Sequence, residues 1–428
     1  MTPAYRYRLL GITNKKILLG KVLVTRQSIT RNASLYPIYS AAFHVYAWMP
    51  IFFLYFISHF SLARVLQLEA LYYAVAVLSE VPSGYFSDRV GRRLTLLISA
   101  VCLASSYALF LLGSEFATFA LAQVLFAFSY SFNSGTDTSF HYDSLNELGR
   151  QKEFPAREAR ITRNGLLCSS LAAFLGGLIG LYSLRLAYLV SLIGALVCVV
   201  IATLFTEPPA DPDAPPPVSF IRQLVDCLKL YRDPFLAWLL AYSIAMMVLN
   251  HVPYEFFQPY LDLLGEQSFL PAQSTPMSAG LAISLSMLLG SWVAANSIRL
   301  TQRFGIGVPL LAAMLLQTMV ITSMGLFLHP LVVGSIILRN APMAMARAPL
   351  NAAIAPRVGR DKRATLLSLQ SLAGRLAFSG ALAALSLFLA PGQRPTWPTL
   401  STINLVSAAA GLLFFLVMAL SFKRTQQS

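Results

Sequence analysis

Twelve mostly apolar stretches punctuate this chain, each about 20 residues long, the length of α-helix that crosses a bilayer core. They fall at Leu35–Ile57, Val65–Phe86, Leu94–Gly113, Phe116–Asn146, Ile161–Leu181 and Leu184–Phe205, then at Phe235–Tyr260, Met277–Ser297, Val308–Leu328, Leu331–Ala355, Ala364–Ala390 and Leu400–Phe422. Only 12% of residues are charged, against about 25% in soluble domains. That leaves too few charges for a water-facing surface. The fourth and fifth stretches are polar enough to score poorly on hydropathy alone.

The net charge is +14. A basic chain invites a nucleic-acid reading, but the placement of the charge argues otherwise. With the N-terminus on the cytoplasmic side, 26 Lys and Arg fall in cytoplasmic segments. Three (Arg64, Arg185, Arg394) fall opposite, and three (Arg339, Arg347, Arg375) lie within spans. This asymmetry is the positive-inside pattern, and an odd span count in either half would scramble it. Cys102, Cys168, Cys198 and Cys227 form no metal-type pair, so neither a disulfide framework nor a metal site is implied.

The order along the chain is a basic segment 1–33, six spans in 34–206, a linker 207–234, six spans in 235–422 and a tail 423–428. The basic segment lacks a cleavable signal core and fits an interface-lying cytoplasmic stretch. In the linker, Pro208–Pro217 is non-helical. Val218–Arg232 then places Ile221, Leu224, Val225 and Leu228 at helical spacing, an amphipathic surface helix. The halves repeat: Asp88-Arg89-Val90-Gly91 aligns with Gln302-Arg303-Phe304-Gly305, and Gly149-Arg150-Gln151-Lys152 with Gly359-Arg360-Asp361-Lys362. Both pairs sit in loops after even-numbered spans and suggest a duplicated six-helix unit.

Between spans 2 and 3 stands Gly84-Tyr85-Phe86-Ser87-Asp88-Arg89-Val90-Gly91-Arg92-Arg93. Its fixed positions, Gly84, Asp88, Arg89, Gly91, Arg92 and Arg93, resemble the loop signature of the major facilitator superfamily, in the loop where that family carries it. The resemblance covers the whole chain in span count, linker and half-repeat. It implies an all-α membrane fold of two pseudo-symmetric six-helix bundles and a secondary transporter working by alternating access. It also implies a gate at this loop that closes the cytoplasmic side. Physically, Gly84 would permit close helix approach. Asp88 would face a helix N-terminus, and Arg92 and Arg93 would pair with neighbouring carboxylates, with Glu80 and Asp143 as candidate partners.

Ionisable residues inside spans are costly and are functional candidates by default. Asp137 and His141 share a helix face and, with Glu255, are candidates for proton coupling. Two prolines around Glu255, Pro253 and Pro259, should break or kink the seventh span. His44, Asn133, Asn250, Gln258, Arg339, Arg347 and Arg375 are candidates to line a substrate cavity. Arginine grips carboxylates and phosphates, so an anionic substrate is one expectation. Internal pairing of these arginines with Asp137, Glu80 or Glu255 is the other.

The chain carries no Gly-rich nucleotide loop, no His-Glu-x-x-His metal motif and no Gly-x-Ser-x-Gly elbow. No cofactor and no nucleic-acid partner are expected. The function expected is proton-coupled export of a small organic solute. The glycines of Ala173-Phe174-Leu175-Gly176-Gly177-Leu178-Ile179-Gly180 resemble the exporter signature of the family but lack its proline. Uptake of an organic anion is the alternative, and an intramembrane enzyme a remote one. The expected setting is a monomer in a plasma membrane, a bacterial inner membrane, with both termini cytoplasmic.

Overall fold

The computed structural model describes residues 26–209, 220–267, 274–354, 357–358, 360–389 and 394–425. The basic stretch 1–25, most of the Pro-rich linker, Gly359 and residues 426–428 lie outside the described residues, as do the side chains of Asp88, Arg360, Lys423 and Arg424.

Among the described residues are sixteen α-helices, fifteen of which build twelve spans while one lies in the linker. The first half holds α1 (Arg26–Phe43), α2 (Phe52–Ile57), α3 (Leu62–Val90), α4 (Arg92–Leu112), α5 (Phe116–Asn133), α6 (Thr136–Glu147), α7 (Phe154–Gly180) and α8 (Leu184–Leu204). After α9 (Phe220–Leu230), the second half holds α10 (Pro234–Glu266), α11 (Thr275–Phe304), α12 (Gly307–Leu326), α13 (Leu331–Leu338), α14 (Ala341–Ile354), α15 (Arg360–Leu387) and α16 (Trp397–Thr425).

Three spans expected to be continuous are interrupted. The first divides into α1 and α2, the fourth into α5 and α6 at Gly135, where φ is 76°, and the tenth into α13 and α14 at Arg339 and Asn340. The fourth and tenth are equivalent members of the two halves. Eight helices are long and apolar enough, by length and composition, to cross a membrane, with α5 and α6 counted together. The other four spans are the split first and tenth, the polar-headed α7, and α15.

The repeat seen in the sequence has a backbone counterpart. Gly91 ends α3 with φ 111° and Gly305 ends α11 with φ 73°. Both positions need a backbone that only glycine adopts without strain. A long α10 follows the linker because Asp233 caps it, accepting from the N–H groups of Phe235 (2.8 Å) and Leu236 (3.1 Å), with Pro234 in the first turn.

The prolines of α10 do not break it. Pro253 removes one backbone donor and so frees the Leu249 carbonyl. Gln317 on α12 donates to that carbonyl at 3.2 Å, which supplies the missing partner. Residues 26–33 likewise differ from the expected surface segment. They form the first turns of α1, where Ile29 and Ala33 pack on Leu145 and Leu148 and Asn32 bonds Ser144 and the Thr206 carbonyl. α9 forms inside the predicted amphipathic stretch and packs against α15, with Cys227 buried and Val225 and Leu228 exposed.

The bundles meet along α3 with α15, α7 with α11, and α2 with α10. The α7–α11 seam is made by glycines. A methyl group on Gly177 would sit 2.6 Å from the Pro276 carbonyl oxygen, and one on Gly280 would sit 2.8 Å from that of Ala173. Around the outside, α8 and α16 expose rows of leucine, isoleucine, valine and phenylalanine. Apolar faces this large need a lipid solvent or a partner.

Candidate functional site

A cavity of about 300 Å³ lies between the bundles. The first half contributes the interruption of span 1 (Tyr46, Trp48), α3 (Glu69, Tyr72, Tyr73), α4 (Tyr107), α5 (Gln123, Phe126, Tyr130) and α8 (Tyr188). The second contributes Asn250, His251 and Tyr254 of α10, Asn340 at the interruption of span 10, and Arg375 of α15. Interrupted helices at a central cavity are the usual way for membrane-embedded backbone to approach a ligand.

Of the residues picked from the sequence, Asn250 and Arg375 line this cavity. Arg375 Nη1 lies 3.3 Å from Glu80 Oε2, an ion pair across the bundle interface. Glu80 therefore meets an arginine of the other half and not the arginines of its own loop. Glu255 is fully buried behind the cavity wall, and its Oε1 accepts from the Tyr73 hydroxyl at 3.3 Å, again across the interface. Arg339, 3% exposed, stacks its guanidinium over Phe257 at 4.3 Å and Tyr254 at 5.4 Å. Glu255 Oε2 and Arg339 Nη1 are buried without a hydrogen-bond partner.

Gln258, one turn beyond Glu255, is a clasp. Its Oε1 accepts from the N–H of Phe53 (3.0 Å) and Leu54 (3.3 Å), and its Nε2 donates to the Met49 carbonyl (3.0 Å). These groups are left unpaired by the interruption of span 1, so one side chain of the second half satisfies the broken backbone of the first. The clasp lies at the end of the molecule away from the loop motif. Toward the motif end, a second cavity of about 430 Å³ runs from Asn250 and His251 to Arg347, which is exposed.

The α6 candidates sit apart from the cavity. Asp137 Oδ2 accepts from Asn133 Nδ2 at 3.3 Å, and its Oδ1 from the Thr138 N–H at 2.6 Å. Asn133 also accepts from Tyr39 at 3.0 Å. His141 does not turn to Asp137. Its Nδ1 is 2.8 Å from Glu158 of α7, and its ring stacks on Tyr36 at 4.5 Å. His44 is held by the Ser40 carbonyl at 2.6 Å and packs beside Gly165.

In the loop motif, Arg92 bonds the Ser139 carbonyl (2.7 Å) and Asp143, while Arg93 donates to the Thr203 carbonyl at 3.2 Å. Arg89 lies over Tyr85 at 5.2 Å. Glu207 places a carboxylate at the N-terminus of α4, accepting from the backbone N–H of Arg92 and of Arg93, each at 2.7 Å; the side chain of Asp88 lies outside the described residues. Glu207 is placed there by Gly91, whose missing side chain leaves the space. The close approach expected at Gly84 is not formed: a methyl group there would meet no atom within 4 Å. The side-chain partners of Arg92 and Arg93 belong to the first half, so among the described residues these two arginines do not bridge the bundles in this conformation. In the loop between spans 4 and 5, Arg150 and Arg157 hydrogen-bond Glu153 and pull its carboxyl down to about 2.

Sequence reasoning missed Glu69. It lines the cavity, is 6% exposed, and accepts from Gln123 Nε2 at 2.9 Å. Its signal was an acid inside an apolar span, the same one that picked out Glu80. Glu158 was missed because it belongs to a basic loop-like stretch.

The family model of the Major Facilitator Superfamily matches residues 165–381. No curated protein matches the sequence. Among solved structures, the chain is similar to the nucleoside transporter NupG (TM-score 0.73, 14% identity, 92% of this chain and 99% of that one). It is also similar to the peptide transporter POT in complex with sulfate (0.68, 14%, 94% and 96%) and to a D-xylose-proton symporter (0.65, 14%, 91% and 97%). At that identity these structures share the fold alone. Taken with the twelve spans, the repeated halves and the cavity between them, the match over half the chain shows that this protein belongs to the Major Facilitator Superfamily, as a secondary transporter and not an enzyme.

Proposed function

We propose that the protein exports a small organic solute by alternating access, in exchange for protons. The observation that carries this reading is Glu255. It is a carboxyl buried between the bundles and bonded across them to Tyr73, which itself lines the cavity. A group so placed changes the bundle interface when it gains or loses a proton, because a protonated carboxyl and a carboxylate make different demands on Tyr73 and Arg339. Asp137 and His141, bonded away from the cavity, are weaker candidates. With the motif loop on the cytoplasmic side of a plasma membrane, the Gln258 clasp and the α7–α11 glycine seam close the outer side, and the cavity communicates with the cytoplasm through Arg347.

Export is favoured by the glycines of α7, which resemble the exporter signature of the superfamily although they lack its proline. Uptake of an organic anion is the second reading, favoured by Arg375 in the cavity wall. Proteoliposomes preloaded with candidate solutes separate the two. Acidifying the exterior should speed solute loss if exchange is correct. Accumulation under the same gradient means symport, and flux indifferent to the gradient removes proton coupling altogether.

A further inference from the structure

The charges around the cavity are not balanced. Arg375 is answered by Glu80 at 3.3 Å. His251 has Nδ1 2.7 Å from the Met247 carbonyl, so that nitrogen carries the proton and the ring is held by a neutral bond. Glu69 is different: the partner of its carboxylate is the side-chain amide of Gln123 at 2.9 Å, and no salt bridge reaches it among the described residues.

Around Glu69 the wall is aromatic. Tyr72 and Tyr73 follow one turn along α3. Across the cavity rim, Gln123 precedes Phe126 by one turn on α5. Phe126 lies 5.2 Å from Trp48, 5.4 Å from Tyr72 and 4.9 Å from Tyr130, centroid to centroid. Ring faces attract cations, and a carboxyl at low dielectric, hydrogen-bonded to a neutral amide and repelled by a second buried carboxyl at Glu255, gains from a cationic ligand. An anion placed against Glu69 would meet ring faces and a like charge, while Arg375 of the same cavity is already held by Glu80.

We infer that this cavity binds an organic cation, an alkyl- or arylammonium ion. Its charged nitrogen sits against Glu69 and its apolar body against Trp48, Tyr72 and Phe126. This rests on the cavity being the solute site of the export reading above, and it names the class of solute.

The test is binding to the purified full-length protein by titration calorimetry, without any gradient. Three probes share a phenyl group and differ in charge: benzyltrimethylammonium, 3-phenylpropionamide and 3-phenylpropanoate. The ammonium ion should bind tightest and the carboxylate weakest. Glu69→Gln keeps an amide partner for Gln123. It should weaken the ammonium about tenfold, the size of one charge-assisted contact, and leave the amide probe unchanged. Glu69→Asp should keep the preference for the cation. Equal affinities, tighter binding of 3-phenylpropanoate, or an undiminished ammonium affinity in Glu69→Gln overturns the inference. Should Glu69→Gln fail to fold, the ranking of the three probes on the unaltered protein decides alone. Failure here leaves proton-coupled export standing. Flux indifferent to a proton gradient, with ammonium still bound, sinks the coupling and leaves the cation site.

Discussion

The partners that the fold gives, or withholds from, each ionisable residue within the spans decide what its substitution does. Arg375→Gln leaves Glu80 facing the interface without its cation, and Glu80→Gln strands Arg375. Each single change should reduce transport, while the double change should recover about tenfold over the worse single, because charges in direct contact couple. Additive losses would show that the 3.3 Å pair does no work. Glu207→Ala removes the acceptor for two N–H groups at the start of α4. It should lower stability by about 1 kcal/mol, read as a lower melting temperature than that of the unaltered protein. An unchanged melting temperature would mean water replaces the carboxylate fully. The sequence showed which side chains are expensive in a membrane, and it therefore pointed to Arg375, Glu255 and Asp137 alike. It did not show helix rotation. Only the fold separates Arg375, which faces the cavity, from Asp137, which faces Asn133 and Thr138.

At the scale of elements, the spans and their order were legible because apolar length and loop charge are one-dimensional properties. The interruptions were not. Gly135 breaks the fourth span at a site with no proline, and Pro253 fails to break the seventh although proline is the strongest breaker known. The difference is tertiary: a donor from α12 reaches the Leu249 carbonyl, 68 positions away in sequence. This gives a paired prediction. Gln317→Leu leaves the carbonyl unpaired in a buried site and should destabilise the protein by about 1–3 kcal/mol. Pro253→Ala restores a backbone donor to that carbonyl, so the same Gln317→Leu change in its presence should cost markedly less. Equal costs in both backgrounds, measured by thermal unfolding in detergent, would remove Gln317 from the account of why α10 stays whole.

For the whole molecule, the bonds between the halves among the described residues are lopsided, and that sets the conformational balance. At the end away from the loop motif, Gln258 ties three backbone groups of span 1. At the motif end, the partners of Arg92 and Arg93 lie within the first half. A molecule that alternates between two closures must break the first set to form another. The three Gln258 bonds are worth about 1 kcal/mol each net, so Gln258→Ala should shift the ratio of the two conformations by about a hundredfold toward opening at the far end. The shift is measurable with Ala76→Cys, a cavity-wall position, in a background where the four native cysteines are replaced. A membrane-impermeant thiol reagent should label it from the motif face with Gln258 intact, and from the opposite face with Gln258→Ala. Labelling from the motif face at an unchanged ratio would mean that the glycine seam between α7 and α11, and not the clasp, holds the far end shut. In that case Gly177→Val, whose side chain cannot fit against Pro276, is the change that should move the balance.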